Sequence, residues 1–339
     1  MDMEESRSAV IDRNEDELFR HELTGHVSAL LTERWDGLGT LDEMCCYAVS
    51  GKGKLFRPML LIESACAVGG TVERVLPAAV GAECGHVASL VHDDIIDNDD
   101  MRRGRLSVHR AFNVDNAIVA GDALIFDLFA ALAECRETGV PEHRIVSALS
   151  AVARAGVDMC RGQVLEAEVS AERRFSVDSY LAVAELKTAA LFRGTCQSGA
   201  LLGEGDDTEV AALAAYGEHL GRAFQIHDDL LVFVSDDATA GKPGGSDLKN
   251  GRMTAPVVMA HRLGRTGDRE RLEQLLSEPG EGGLDELRDV IERTGALRRT
   301  ADWAAEWAWQ AHTALDVLQP SPYRDRLGRY AEAAINRTR

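Results

Sequence analysis

Residues 76–97, LPAAVGAECGHVASLVHDDIID, read as one long helix and decide the fold class. The stretch is rich in Ala, Val, Leu and small residues, and Pro77 falls in its first turn, where a missing N–H costs little. At its end Asp93 and Asp97 stand one helical turn apart and project from one face. Like charges at that spacing destabilise a helix, and a helix C-terminus disfavours negative charge. Something must offset the cost. Hard divalent cations do so, and Mg²⁺ usually combines a few carboxylates with phosphate oxygens and water.

Working outward, further helical patterns run over Glu15 to Arg34, Phe56 to Val68, Asn116 to Cys135, Glu142 to Val169, Val177 to Leu202 and Asp207 to Val234. Shorter helices are expected beyond Arg252. Glycines and prolines punctuate between these runs, notably at Gly69-Gly70, Gly203 to Gly205 and Gly241 to Gly245. Only 8 prolines and 5% aromatic residues occur, and alternating β-branched runs are scarce. The expectation is an all-α fold, a polar, disordered segment over residues 1–14, and a single helical domain over 15–339.

The 339 residues carry a formal net charge of −19, and a field of that sign opposes nucleic-acid binding. No secretory signal is read at the start, and the longer uncharged stretches, such as Val75 to Ala82 and Ile145 to Ala153, are too short to span a bilayer. The 7 cysteines are scattered without a CxxC pair, so they read as reduced cytosolic thiols packed as small hydrophobes. Trp303 and Trp307, at i, i+4 spacing, read as core packing.

A lone acidic helix end is most often just solvated. A second acidic pair, Asp228-Asp229, also closes an apolar helical stretch, and two such helices make a carboxylate-lined pocket suited to a diphosphate. Basic residues accompany both: Arg102 and Arg103 follow the first cluster, and Lys242 and Arg252 follow the second.

These motifs, in order, resemble the trans-polyprenyl diphosphate synthase family, with geranylgeranyl diphosphate synthases as the likeness of first choice. The ordered set is Gly53-Lys54-Leu55-Phe56-Arg57-Pro58, Glu83-Cys84-Gly85-His86, the Asp93 to Asp97 motif with Arg102-Arg103-Gly104, Ala117 to Asp122, Gly162-Gln163, Lys187-Thr188, Phe224-Gln225 with Asp228-Asp229, and Lys242-Pro243 through Asp247-Leu248 to Thr254. The resemblance implies a bundle of long helices around a central cavity, assembled as a cytoplasmic homodimer. It implies that Asp93, Asp94, Asp97 and Asp228 ligand several Mg²⁺ ions on an allylic prenyl diphosphate, with Asp229 in the same metal set as a ligand or outer-shell carboxylate. Arg102, Lys187, Lys242 and Arg252 would contact the same diphosphate, with Thr188 and Gln225 beside them. Lys54, Arg57, His86 and Arg103 would hold isopentenyl diphosphate.

The implied reaction ionises the allylic diphosphate, adds isopentenyl diphosphate and loses a proton. Small residues at Ala88 and Ser89, and at Cys84, Gly85 and Gly81 farther back, favour a product longer than farnesyl, with geranylgeranyl diphosphate first. Val232 stands where the family has the third carboxylate of the second motif. That departure keeps open a terpene cyclase-like or acceptor-prenylating enzyme that needs no isopentenyl diphosphate, and an inactive partner subunit of a synthase.

Overall fold

The computed structural model describes residues 2–51, 53–234, 251–277 and 282–336. Among them the only strands are a two-stranded hairpin, and the all-α class expected from the sequence is what the structure shows. Backbone contacts cluster into two compact units, Met1–Ile62 with Thr71–Ile145 and Glu63–Gly70 with Val146–Arg339.

The first unit holds helices α1 (Asp2–Arg34), α2 (Thr40–Val49), the first half of α3 (Phe56–Ala67), α4 (Val72–Ile96), α5 (Val108–Phe112) and α6 (Val114–Glu134). The quoted stretch is α4, begun one turn earlier than expected, with Asp97 as its C-cap. α4 packs on α6 through the small residues noted in the sequence. A Cβ at Gly81 would lie 2.8 Å from the Ala131 Cβ, and one at Gly85 would lie 2.8 Å from Leu128 Cδ2. These two glycines therefore serve helix packing. α1 is tied to α6 by Arg34, whose guanidinium meets Asp127 and Glu134, each at 2.7 Å.

Between α4 and α5 the chain makes an antiparallel hairpin, β1 (Met101–Arg102) with β2 (Arg105–Leu106). Its two central residues, Arg103 (φ 52°) and Gly104 (φ 80°), both adopt left-handed backbone, as a tight hairpin turn requires. Tyr47 Oη donates to the Leu106 carbonyl at 2.8 Å, and the Arg105 guanidinium lies 4.2 Å over the Tyr47 ring, so α2 fixes the hairpin.

The second unit holds α7 (Glu142–Ala171) beyond its first turn, α8 (Val177–Ala184), α9 (Ala190–Leu202), α10 (Asp207–Val234) and later helices Ala255–Leu263, Thr266–Ser277, Gly283–Arg293, Ala296–Ala314 and Pro322–Asn336. Its core gathers Val169, Tyr180, Ile226, Val258, Leu272, Ile291 and Trp303. A buried ion pair, Arg326 to Glu63 at 2.7 Å, joins the last helix to the second half of α3. Trp303 is core and Trp307 packs against it, as their spacing suggested; Trp307 also stacks on His219, with ring centroids 5.4 Å apart.

The helix expected over Val177 to Leu202 is interrupted. A π-helical turn, Glu185–Ala189, separates α8 from α9. All 7 cysteines are free thiols, 5 of them buried, and burial pushes Cys45 and Cys196 each up to about 12. α6 is the one helix among the described residues long and apolar enough to cross a membrane, a stretch the sequence reading passed over. In this fold it packs against α4 and α2 and carries Asp127, the partner of Arg34.

Candidate active site

In the first unit the C-terminal turn of α4 presents Asp93 and Asp97 at partly exposed positions, while Asp94 turns inward and is 3% exposed. The Asp94 carboxylate accepts from Arg102 Nε at 2.8 Å and from Arg102 Nη2, and Asp99 stands 4.0 Å from the same guanidinium. Burial works against the Arg102 charge, but the Asp94 hydrogen bond and the surrounding carboxylates outweigh it and hold the guanidinium above its ordinary value. Asp94, expected among the metal ligands, is thus engaged in fixing Arg102.

The expected isopentenyl diphosphate residues fall around the N-terminus of α3 and the middle of α4. Burial lowers Arg57 to about 10, so it stays charged at neutral pH. Burial also lowers Arg103, and it drives His86 well below its usual value, helped by Arg57 and Arg103, so His86 is neutral at pH 7. Its Nδ1 is inaccessible and has no partner among the described residues. Lys54 is exposed. Glu83, which the sequence reading assigned no role, is 2% exposed between these cations; burial raises its carboxyl despite Arg57 and Arg103. Gly53 lets this cluster close: a Cβ there would lie 2.8 Å from Arg103 Nη1 and 3.2 Å from Glu83 Oε1.

In the second unit the π turn carries Lys187 and Thr188. Lys187 Nζ meets Glu166 Oε2 at 2.6 Å, and Thr188 Oγ1 donates to Gln225 Oε1 at 2.7 Å. Gln225 Nε2 passes the chain on to Asp229 Oδ1 at 2.8 Å. The other Asp229 oxygen accepts from Tyr180 Oη and the Ala255 N–H, each at 2.8 Å. Burial and Asp229 push the Tyr180 hydroxyl well above its ordinary value, so it remains a donor. Asp229 accepts three hydrogen bonds in this network, whereas Asp228, one residue earlier on α10, is exposed. Lys242 lies outside the described residues; Arg252 is described and partly exposed.

Two residues of this cluster had weak or no signal in the sequence. Glu166 sits three residues after Gln163, one turn along α7, and could have been found as a carboxylate trailing the Gly162-Gln163 motif. Tyr180 is one of 5 tyrosines and lies in no motif. The chemistry of the donors suits Mg²⁺. Among the described residues no three His, Cys, Asp or Glu side chains converge on one point. An ion held by Asp93 and Asp97, or by Asp228, would complete its shell with phosphate oxygens and water, the arrangement Mg²⁺ favours.

The profile of the polyprenyl synthetase family matches residues 39–293. The chain is 36% identical over 291 residues to the short chain isoprenyl diphosphate synthase of Methanothermobacter thermautotrophicus, covering 86% of this chain and 88% of that one. It is 30% identical over 325 residues to the octaprenyl diphosphate synthase of Escherichia coli, covering 95% and 98%. The crystal structure of geranylgeranyl pyrophosphate synthetase from Pyrococcus horikoshii superposes with a TM-score of 0.83 at 30% identity, covering 94% of this chain and 99% of that one. With its motifs in order along an all-helical fold, the chain belongs to the polyprenyl synthetase family of prenyltransferases and is an enzyme of that family.

Proposed function

We propose that the enzyme condenses isopentenyl diphosphate with an allylic prenyl diphosphate to make a longer all-trans prenyl diphosphate, geranylgeranyl diphosphate first. The carrying observation is a second cationic group in the first unit. Arg57, Arg103 and neutral His86 gather near Glu83, beside the Asp94–Arg102 pair and in addition to it. An enzyme that only ionises one prenyl diphosphate has no use for a second anion-binding group.

The roles divide by residue. Arg102, Lys187 and Arg252 bind and orient the allylic diphosphate, and Thr188 and Gln225 hold the network beside it. Asp93, Asp97 and Asp228 take the divalent ions, with Asp94 and Asp229 as anchors of Arg102 and of the Gln225–Tyr180 network. Mg²⁺ bound there supplies neutralisation of the charge that develops on the departing diphosphate. Arg57, Arg103, His86 and Lys54 hold isopentenyl diphosphate while its double bond attacks the allylic cation. No side chain is assigned as the base.

Product length rests on fewer residues than the sequence offered. Gly81 and Gly85 are consumed by α6 and Cys84 is buried beside Asp127 of the same helix, leaving Ala88 and Ser89 as the small residues before Asp93. Each α4 turn rises about 5.4 Å, close to one isoprene unit, so small residues at the first turn admit more than a farnesyl chain. Relatives named for products from short chain to octaprenyl are consistent with that range.

We also propose a homodimer, supported by the exposed apolar residues Val114, Ile118, Val119 and Phe126 along α6. The deciding experiment incubates the purified protein with isopentenyl diphosphate, Mg²⁺ and each allylic primer. A longer prenyl diphosphate whose formation EDTA abolishes is the expected product. Mg²⁺-dependent release of hydrocarbon or diphosphate without elongation would sink the reading.

A further inference from the structure

The π turn Glu185–Ala189 carries the two residues of the Lys187-Thr188 motif, and π geometry occurs mostly as single turns inside α-helices. Such turns are frequent at functional sites, and tertiary contacts seat this one. Three do so. On one side is Gly162 of α7, where a Cβ would lie 2.3 Å from the Lys187 backbone nitrogen. On the other is Gly221 of α10, where a Cβ would lie 2.5 Å from Ala189 Cα. Both near atoms are backbone, so neither neighbour can swing away.

The third contact is electrostatic. Arg222, the residue after Gly221, donates from Nη2 to Glu185 Oε2 and to Glu218 Oε1, each at 2.7 Å. Its guanidinium also lies 4.4 Å over the Trp307 ring, and its side chain is 13% exposed. Glu185 is the first residue of the π turn, so Arg222 holds the turn at its start while the glycines seat its centre and end.

We propose that Gly162, Gly221 and Arg222 form a clamp that sets the position of Lys187 and Thr188, with Arg222 acting as a positioning residue for the allylic diphosphate. The role rests on the reading above that Lys187 contacts that diphosphate. The clamp explains why the Gly162-Gln163 and Lys187-Thr188 motifs occur together: the first contains the only residue type whose bulk the second tolerates.

The test compares Gly162→Ala, Arg222→Gln and Arg222→Lys with Gly203→Ala, a control in the same unit whose added Cβ would lie 2.4 Å from the Ala65 carbonyl oxygen and away from the π turn. Steady-state kinetics are run with each substrate varied, beside melting temperatures. A displacement of order 1 Å can cost up to about 10²-fold, so kcat/KM for the allylic diphosphate should fall at least about tenfold in Gly162→Ala and Arg222→Gln. KM for isopentenyl diphosphate should stay near wild type, and Arg222→Lys should recover part of the loss.

Gly203→Ala should lower the melting temperature without that kinetic split. Wild-type allylic kinetics in both Gly162→Ala and Arg222→Gln, or the same split in Gly203→Ala, overturns the clamp. Calorimetry with inorganic diphosphate and Mg²⁺ separates the two claims. A wild-type protein that binds diphosphate without elongating removes the synthase reading. Weakened binding in Gly162→Ala and Arg222→Gln supports the clamp even then, and unchanged binding refutes it.

Discussion

Replacing Asp94 by Asn tests what the second carboxylate of the first acidic motif does. The change keeps the side chain's shape and one acceptor oxygen but removes its charge. Asp94 is buried against Arg102, accepting from Nε at 2.8 Å and also from Nη2. Arg102 keeps its charge, so its bond to Asn stays charge-assisted and what is lost is the ion-pair attraction, on the order of 1–1.5 kcal/mol of hold on Arg102 for directly contacting groups. Asp99, 4.0 Å away, then competes for the guanidinium. At about 1.4 kcal/mol per decade, kcat/KM for the allylic diphosphate should fall roughly tenfold.

The assay is a double-mutant cycle with Arg102→Ala, read in kcat/KM and in the Mg²⁺ concentration giving half-maximal rate. Because Asp94 acts through Arg102, the double variant should be scarcely worse than Arg102→Ala alone, with a coupling of about 1 kcal/mol. The Mg²⁺ requirement of Asp94→Asn should stay near wild type. Additive losses together with a clearly raised Mg²⁺ requirement would refute the reasoning and restore Asp94 as a direct ligand.

Other expectations are briefer. Val232→Asp restores a third carboxylate to the second motif, and should lower the Mg²⁺ concentration for half-maximal rate; a higher or unchanged value counts against that site's role in metal binding. Phe126, 73% exposed on the apolar face of α6, is proposed to lie in the dimer contact. Phe126→Glu should shift the mass measured by light scattering toward monomer, and an unshifted dimer removes α6 from the interface. His86 is held neutral, so below the unfolded-state value of about 6.5 the unfolded chain binds more protons and stability falls as pH drops. The melting temperature should therefore fall more steeply from pH 7.5 to 5.5 in the wild type than in His86→Gln; parallel curves would contradict the buried neutral imidazole.

Much of the site was legible because its chemistry is local. Asp93 and Asp97 share a helix face by spacing alone, and Arg102 follows within two turns. What spacing could not show is which oxygen of the cluster turns inward. The two-residue hairpin strands and the left-handed Arg103 are too short to leave a periodic signal, yet they decide that Arg102 reaches back to Asp94. Similarly, Asp228 and Asp229 are indistinguishable as neighbours in sequence. The fold separates them by supplying Tyr180, Gln225 and the Ala255 N–H to Asp229 while leaving Asp228 exposed.

The amino-acid sequence by itself determined the helical class, most helix spans and the order of the charged motifs, because periodicity, capping and charge spacing act within one or two turns. Only the tertiary structure decided the use of the small residues. Gly81 and Gly85 are spent against α6, and Gly162 and Gly221 press on the π turn, because a missing Cβ acquires meaning from the backbone brought against it. The same holds for Glu83 and His86. Their protonation is set by burial among Arg57 and Arg103, and burial is a property of packing that no local pattern encodes.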